Sequence, residues 1–267
     1  MVPFENSTNG AVVFTLELLS DRYKRYKDVY ICSEAYLDVS HCLLGKKCPS
    51  PGYDSPDISG VCTPTMSTPS PPKPRNTPLH DLKHIKRLYS HPQAFGQCEI
   101  FLQAYLKGVE RIDVSSTSRA AEIAKADTTG ESAAIASILA AEIHDVDVLA
   151  KGIEDREDNT TRFFILRKGI DEEACKTEKT KSLISFTVDH RTPGALASVL
   201  QCFSKFGLNL TSINSRPTKI VPFQYIFFLE FAGSKLNDPS GKVKKTLDEL
   251  EGYVYGWRWL GSWDDKL

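Results

Sequence analysis

Apolar residues change rhythm along the chain, and each change marks an element. Phe95, Cys98, Phe101, Leu102 and Tyr105 recur at helical spacing and predict one continuous helix. Leu196, Val199, Leu200 and Phe203 predict another over 195–206, with Pro193 near its start and Gly207 as its stop. Short β-branched and aromatic runs predict strands over 85–88, 111–114, 132–135 and 146–149, interleaved with helices over 119–125 and an alanine-rich stretch ending near 143. The segment 29–44 reads as one or two strands, with His41 on the last. Val2 opens inside a strand, and Asn6-Ser7-Thr8 offers caps for a helix through Val12, Val13, Leu16 and Leu19. A domain seldom begins mid-strand with nothing before it to pair with, so a preceding segment is expected.

Two stretches break these rhythms. Residues 46–80 hold nine of the fifteen prolines, with much Ser, Thr and Gly, and predict a flexible surface insertion. Pro69-Ser70-Pro71-Pro72-Lys73-Pro74 within it has polyproline-helix composition, although a disordered loop is the simpler reading. Charged residues crowd 169–181, which reads as a linker. Beyond it the order is strand 183–188, helix 195–206, strands 208–215 and 224–231, helix 242–250 and strand 253–260. That βαββαβ pattern predicts a ferredoxin-like module over 182–264, following an α/β domain over 1–168.

Composition narrows the classes. A net charge of −1 argues against a general nucleic-acid binder. No apolar run reaches the roughly 20 residues that span a bilayer, and no secretory signal opens the chain, so no membrane association and a cytoplasmic location are expected. The seven cysteines are scattered and never form a C-x-x-C pair, which predicts reduced thiols and unused sequons at Asn6, Asn159 and Asn209. His80 and His84 have i, i+4 spacing without the acidic partner of a metalloprotease motif, and no metal or cofactor is expected.

Candidate chemistry collects where predicted strands exit into Ser, Thr, Asn, His or Gln. Asp158-Asn159-Thr160-Thr161-Arg162-Phe163 joins hydroxyls, amide and guanidinium just before the apolar run Phe164-Ile165-Leu166. On its own this is a polar turn entering a strand; in a series of such exits it is a candidate catalytic element. His41 is read as a hydrogen-bonded structural residue or as a group that tunes the site.

The ordered motifs Val2-Pro3-Phe4-Glu5-Asn6-Ser7, His41-Cys42-Leu43-Leu44-Gly45, Tyr89-Ser90-His91-Pro92-Gln93 with Gln97-Cys98, Ser116-Thr117-Ser118 and Asn159-Thr160-Thr161-Arg162-Phe163 resemble the prephenate dehydratase family. Gly194-Ala195-Leu196 and Ser215-Arg216-Pro217 resemble that family's ACT regulatory domain. The resemblance implies two α/β lobes like a type II periplasmic binding protein, with 1–25 in the first lobe, 29–147 in the second and a return through 151–168, followed by the ferredoxin-like ACT module. The family's opening strand and Gly-Pro-x-Gly-Thr-type loop are absent from this sequence.

It further implies decarboxylating dehydration of prephenate to phenylpyruvate, with feedback by phenylalanine and assembly as a homodimer or tetramer. Thr161, Arg162 and Glu5 are the implied catalytic residues, Thr161 hydrogen-bonding the departing hydroxyl and Arg162 either pairing with a carboxylate or holding its loop. Asn6, Ser7, His41, Ser90, Gln93, Gln97, Ser116, Thr117 and Phe163 are the implied substrate-binding residues. Gly194, Ala195, Leu196, Asn214, Ser215, Arg216 and Pro217 are the implied effector-binding residues. Asn214 stands where the family motif carries Glu, which puts feedback strength in doubt. The competing readings are a catalytically inactive amino-acid-binding or regulatory protein and an arogenate dehydratase.

Overall fold

Two sheets organise the chain in a computed structural model that describes residues 1–48 and 72–267. The expected insertion therefore lies mostly outside the described residues. Its final stretch is tied down rather than loose: Arg75 donates to Glu154, Asn76 to the Gly152 carbonyl and the Leu79 N–H to the Leu149 carbonyl. The chain forms two compact units, one from Met1–Asp38 with Asn159–Leu267 and one from Val39–Asp158.

The second unit carries strands β4 (Cys42–Gly45), β5 (Arg87–Ser90), β6 (Glu110–Asp113), β7 (Ser132–Ala136) and β8 (Val148–Lys151), ordered β6-β5-β7-β4-β8. Helices α2 (Pro92–Gly96) and α3 (Glu99–Tyr105) pack Phe95, Phe101 and Leu102 against Leu43, Ile135 and Leu149 on one face. The other face meets α4 (Thr117–Ala126) and α5 (Ile138–His144) through Ala120, Ala121, Ala124, Ala140 and Ala141. Covered on both sides, β7 is buried at every position, which is why it reads as a continuous small apolar run.

Three expectations shift here. The strand placed at 85–88 runs over Arg87–Ser90, so Tyr89 and Ser90 belong to it rather than to its exit. His41 precedes β4 instead of lying on a strand. The single helix through Phe95 and Tyr105 is two, because Asp155 interrupts it. The Asp155 N–H takes the Gln97 carbonyl at 2.7 Å, and its carboxylate accepts the Ile100 N–H at 3.0 Å, giving the second helix a new start.

The first unit is built on an eight-stranded sheet of β1 (Val2–Asn6), β2 (Gly10–Ala11), β3 (Val29–Asp38), β9 (Thr160–Lys168), β10 (Thr180–Thr187), β11 (Leu210–Pro217), β12 (Tyr225–Ala232) and β13 (Gly256–Asp264). Its order is β11-β12-β10-β13-β3-β9-β1-β2. Strand β1 pairs with both β2 and β9. Residues 29–38, expected in the second lobe, instead pair antiparallel with β9 in this unit. The linker expected to reach 181 ends earlier, because β10 starts at Thr180. Helix α1 (Val13–Leu19) has Val12 as its N-cap without a side-chain bond, so Asn6-Ser7-Thr8 does not cap it. Instead Asn6 turns the chain from β1 into β2 by accepting the Thr8 and Asn9 N–H groups.

Four strands of this sheet, β11-β12-β10-β13, are crossed on one face by α6 (Ala195–Lys205) and α7 (Lys242–Leu250) in βαββαβ order. Val199, Phe203, Val243, Leu247 and Leu250 from the helices meet Ile184, Phe186, Leu229 and Phe231. These strands join β3 through one bridged pair, Gly261 with Ile31. Around that junction Phe4, Leu16, Ile31 and Phe164 share a core with Leu183, Phe228, Leu260 and Trp263. Phe4 stacks on Phe164 at 4.0 Å, and Phe164 meets Trp263 edge-on at 5.2 Å. Aromatic burial of this kind contributes about 1.5–3 kcal/mol per side chain, so the junction is held by its core more than by its ladder.

Only glycine fits at 261. A Cβ there would lie 2.1 Å from the Ile31 carbonyl oxygen, and φ is +148°. Gly194 also has positive φ, +81°, but open space around it. Gly261→Ala is therefore expected to destabilise by about 2–4 kcal/mol and Gly194→Ala by only about 1–2 kcal/mol. Urea unfolding of both variants checks the order; equal costs would show that the Gly261–Ile31 approach is not tight.

Candidate active site

Strand β9 brings Thr161 and Arg162 into the sheet itself, not into the loop before it. Successive side chains on a strand point to opposite faces, so these neighbours serve different surroundings. Across from β9, Asn6 pairs with Thr161 and Glu5 with Arg162. On the other side Leu37 pairs with Thr161 and Tyr36 with Arg162. The three expected catalytic residues are thus split by the sheet: Thr161 on one face, Arg162 and Glu5 on the other.

On the first face, Asn6 is buried and its amide is fully used. Its Oδ1 accepts the Thr8 and Asn9 N–H groups at 3.0 and 2.9 Å. Those donors fix which end of the amide is oxygen, so the Nδ2 hydrogens are the ones aimed at β9. They go to Asn159 Oδ1 at 2.8 Å and Thr161 Oγ1 at 3.0 Å. Thr161 oxygen therefore accepts from Asn6, and among the described residues nothing accepts the Thr161 hydroxyl hydrogen. The result is a half-buried hydroxyl arranged to donate. Asn159, read from sequence as a turn residue, is 2 % exposed and works as the second acceptor of this cluster. Ser7 belongs to the same turn: its N–H donates to the Thr160 carbonyl at 2.9 Å, and its hydroxyl oxygen accepts the Thr160 N–H at 3.0 Å. Phe163 lies half-buried in the strand, paired with Pro3 and Ala35.

On the opposite face, Arg162 is 7 % exposed and sits among anions. Its Nε and Nη2 donate to Glu34 Oε2 at 2.9 and 2.5 Å, and Nη2 also donates to Glu230 Oε2 at 2.7 Å. Glu5 stands off at 3.7 Å from Nη1. The guanidinium also lies 5.0 Å from the Phe164 ring centre and 5.5 Å from that of Phe4. Burial alone pulls Arg162 toward the neutral form, but Glu230 and Glu34 reverse this and its pKa is raised. Lys181 completes the cluster, donating to Asp265 at 2.7 Å. Burial disfavours its charge too, yet Asp265 and Glu34 raise its pKa. Of the two roles open for Arg162, geometry favours the holding one.

Expected binding residues in the second unit divide similarly. Ser90 is fully buried and donates to the Ile135 carbonyl at 2.8 Å, tying β5 to β7; it does not face a ligand. His41 is buried, its N–H on Glu154 at 2.7 Å and its Nε2 bonded to Gln97 Oε1 at 2.8 Å, so these two expected binding residues are paired with each other. Gln93 is exposed on the first turn of α2, with its N–H on His91 Nδ1. Ser116 caps α4 by accepting the Arg119 N–H at 3.1 Å, leaving the Thr117 N–H at the helix start for an anion. Among the described residues no His, Cys, Asp and Glu group is arranged to hold a metal ion, and no helix is long and apolar enough to cross a membrane.

The expected effector residues do not share one cavity. Gly194, Ala195 and Leu196 line a recess of about 230 Å³ with Thr192, Tyr225 and Phe227. Asn214, Ser215, Arg216 and Pro217 lie instead on β11, the outer strand of the sheet. There Asn214 donates to Ser212, Arg216 Nε donates to Glu17 on α1 at 2.8 Å, and the Pro217 carbonyl accepts from Arg22.

A family model described as prephenate dehydratase matches residues 1–170. The chain belongs to the prephenate dehydratase family. Among its relatives, the bifunctional chorismate mutase/prephenate dehydratase of Aquifex aeolicus is 32% identical over 267 residues, covering 100% of this chain and 61% of that protein. The prephenate dehydratase of Lactococcus lactis is 32% identical over 263 residues, 98% of this chain and 80% of its own length. A prephenate dehydratase from Arthrobacter aurescens, solved in complex with L-Phe, superimposes with a TM-score of 0.74 at 25% identity, over 99% of this chain and 74% of that one. The mixed α/β fold is that of prephenate dehydratase structures. The chain spans about 60% of the length of the bifunctional relatives it matches.

Two stability predictions follow from the ion pairs. Arg162→Gln leaves buried Glu230 without its cation and Glu34 with only Lys181 at 3.5 Å; it is expected to cost about 3–5 kcal/mol, partly recovered in Arg162→Gln/Glu34→Gln. Denaturant unfolding of the single and double variants checks this; an additive loss contradicts it. Glu17 is raised by partial burial but brought down to about 2 by Arg216, Lys219 and Arg22. A depressed carboxylate stabilises the fold above its ordinary value of 4.5, and that contribution disappears as pH falls toward 2. Glu17→Gln should therefore flatten the acid side of the stability profile in that window, and an unchanged slope would show that these cations do not hold Glu17 in solution.

Proposed function

We propose that this prephenate dehydratase family member converts prephenate to phenylpyruvate. Prephenate carries a ring carboxylate and a ring hydroxyl on opposite sides of a cyclohexadiene. The bond from the ring to the carboxylate breaks, its electron pair enters the ring, and the C–O bond at the far carbon breaks. With one proton added, the products are CO2, water and the aromatic ketoacid. Aromatisation supplies the driving force, and the difficult part is the departing hydroxide.

The Asn6–Thr161 hydrogen bond carries this reading. A threonine hydroxyl is too weak an acid to hand over its proton at neutral pH, but a hydroxyl already oriented as a donor strengthens its bond as negative charge grows on the leaving oxygen. Asn6, held by two backbone donors, supplies that orientation without reorganisation during the reaction. Within the second unit, the start of α4 at Ser116 and Thr117 and the exposed Gln93 amide offer donors of the kind that suit a carboxylate. Glu5 and Arg162 act as support on the far face of β9.

The two α/β units are taken as counterparts of the periplasmic-binding-protein-like lobes, and the βαββαβ strands as an ACT-type module that binds phenylalanine. Support for the effector comes from the L-Phe complex of the Arthrobacter relative. The positive φ of Gly194 and the recess beside it also suit a close backbone approach to a small amino acid. A homodimer or tetramer is the proposed assembly.

Purified chain incubated with prephenate is expected to yield phenylpyruvate. Thr161→Ala should lower kcat by about 10²–10³-fold while costing no more than the about 1–3 kcal/mol of an unpaired buried donor at Asn6. Near-normal turnover by that variant would remove Thr161 from the mechanism, and turnover of arogenate to phenylalanine in place of prephenate would reassign the substrate.

A further inference from the structure

Glu230 is among the most buried charged residues of the described chain, 1 % exposed, and its carboxylate is engaged at both oxygens. Oε1 accepts from Thr211 at 2.6 Å and Oε2 from Arg162 at 2.7 Å. Glu34, the other anion on Arg162, stands on β3, which is already hydrogen-bonded to β9 along its length. Glu34 therefore adds little to where β9 sits. Glu230 stands on β12, which is not a neighbour of β9 in the sheet order. Its bond to Arg162 is a direct tie between the βαββαβ strands and the strand that carries Thr161.

We propose that Glu230 is a positioning residue for Thr161, acting through Arg162. Arg162 is clamped by Glu34 in its plane, by Glu230 at Nη2 and by the Phe4 and Phe164 rings nearby. Clamping the side chain fixes the backbone of β9 at that residue, and Thr161 precedes it by one position on the opposite face. The 3.0 Å bond from Asn6 to Thr161 Oγ1 is met only when this backbone keeps its place against β1. Thr211 holds the outer oxygen of Glu230 and so belongs to the same chain of contacts. Any shift of β12 has a route to the Thr161 hydroxyl along it. The proposal rests on the dehydratase reading for its kinetic consequence, but its structural half does not depend on turnover.

The test compares the purified full chain with Glu230→Gln and with the milder Thr211→Val, using prephenate kinetics and NMR of 13C-methyl-labelled threonine. For Glu230→Gln the expected result is a fall in kcat of about tenfold with KM within about twofold, and a displaced Thr161 methyl resonance while that of Thr117 stays in place. Thr211→Val should move both readouts in the same direction by less. If Glu230→Gln does not fold, Thr211→Val decides by the same readouts. Unchanged kcat with lowered thermal stability alone, or an unmoved Thr161 methyl, overturns the proposal. Wild-type chain that does not turn over prephenate refutes the dehydratase reading separately, and the Thr161 methyl then decides the positioning role alone.

Discussion

A guanidinium shared by two buried carboxylates holds the first unit together at its most polar point. Burial of the Arg162 charge is offset by Glu34 and Glu230, each within hydrogen-bond distance of Nη2. The cluster sits beside an aromatic core of Phe4, Phe164 and Trp263, at the place where the two parts of the eight-stranded sheet are joined by a single bridged pair. Apolar burial supplies the bulk attraction there, while the charges add direction. Arg162 Nε and Nη2 meet Glu34 and Nη2 meets Glu230, whose other oxygen accepts from Thr211.

Strand alternation then gives Thr161 and Arg162 different surroundings. Thr161, one residue from Arg162, faces the other way and meets a network of amides rather than charges. Asn6 takes its orientation from two backbone N–H groups, passes one hydrogen to Asn159 and the other to Thr161, and leaves the threonine hydroxyl as a donor. A charged face and a neutral face with an oriented hydroxyl suit the proposed dehydration, in which the reacting group must not relax when charge appears.

Much of the fold was legible because periodicity is local. The helix Lys242–Leu250 was read from sequence residue for residue, and the βαββαβ order follows from short strands alternating with two amphipathic helices. Errors arose where a partner far along the chain overrode a local signal. The apolar spacing from Phe95 to Tyr105 is unbroken in sequence, but Asp155 splits the helix. Asn6-Ser7-Thr8 looks like a helix cap because the same side chains serve caps and tight turns, and here a turn between paired strands wins. Gly261 gave no sign of its role, which exists only because Ile31 passes 230 positions earlier in the chain. The site follows the same logic. The motif around Thr161 was recognisable, but which neighbours act and which support depends on strand parity, and the turn-like polarity of 158–163 hid that Thr161 and Arg162 already lie within the strand. Ser90 and His41 carry chemistry-bearing side chains that are buried and bonded to the Ile135 carbonyl and to Gln97, a fact that residue type alone does not reveal.

The proposed division of labour is that Thr161 acts and Arg162 supports. Its most direct test is Thr161→Val, which keeps the side-chain shape and removes only the hydroxyl, measured for prephenate turnover and unfolding free energy on the same preparation. A loss of turnover of at least about a hundredfold is expected, with unfolding free energy lowered by no more than about 1–3 kcal/mol, the cost of leaving the Asn6 amide hydrogen unpaired. Retained turnover, or a loss that merely tracks a collapse in stability, would contradict it.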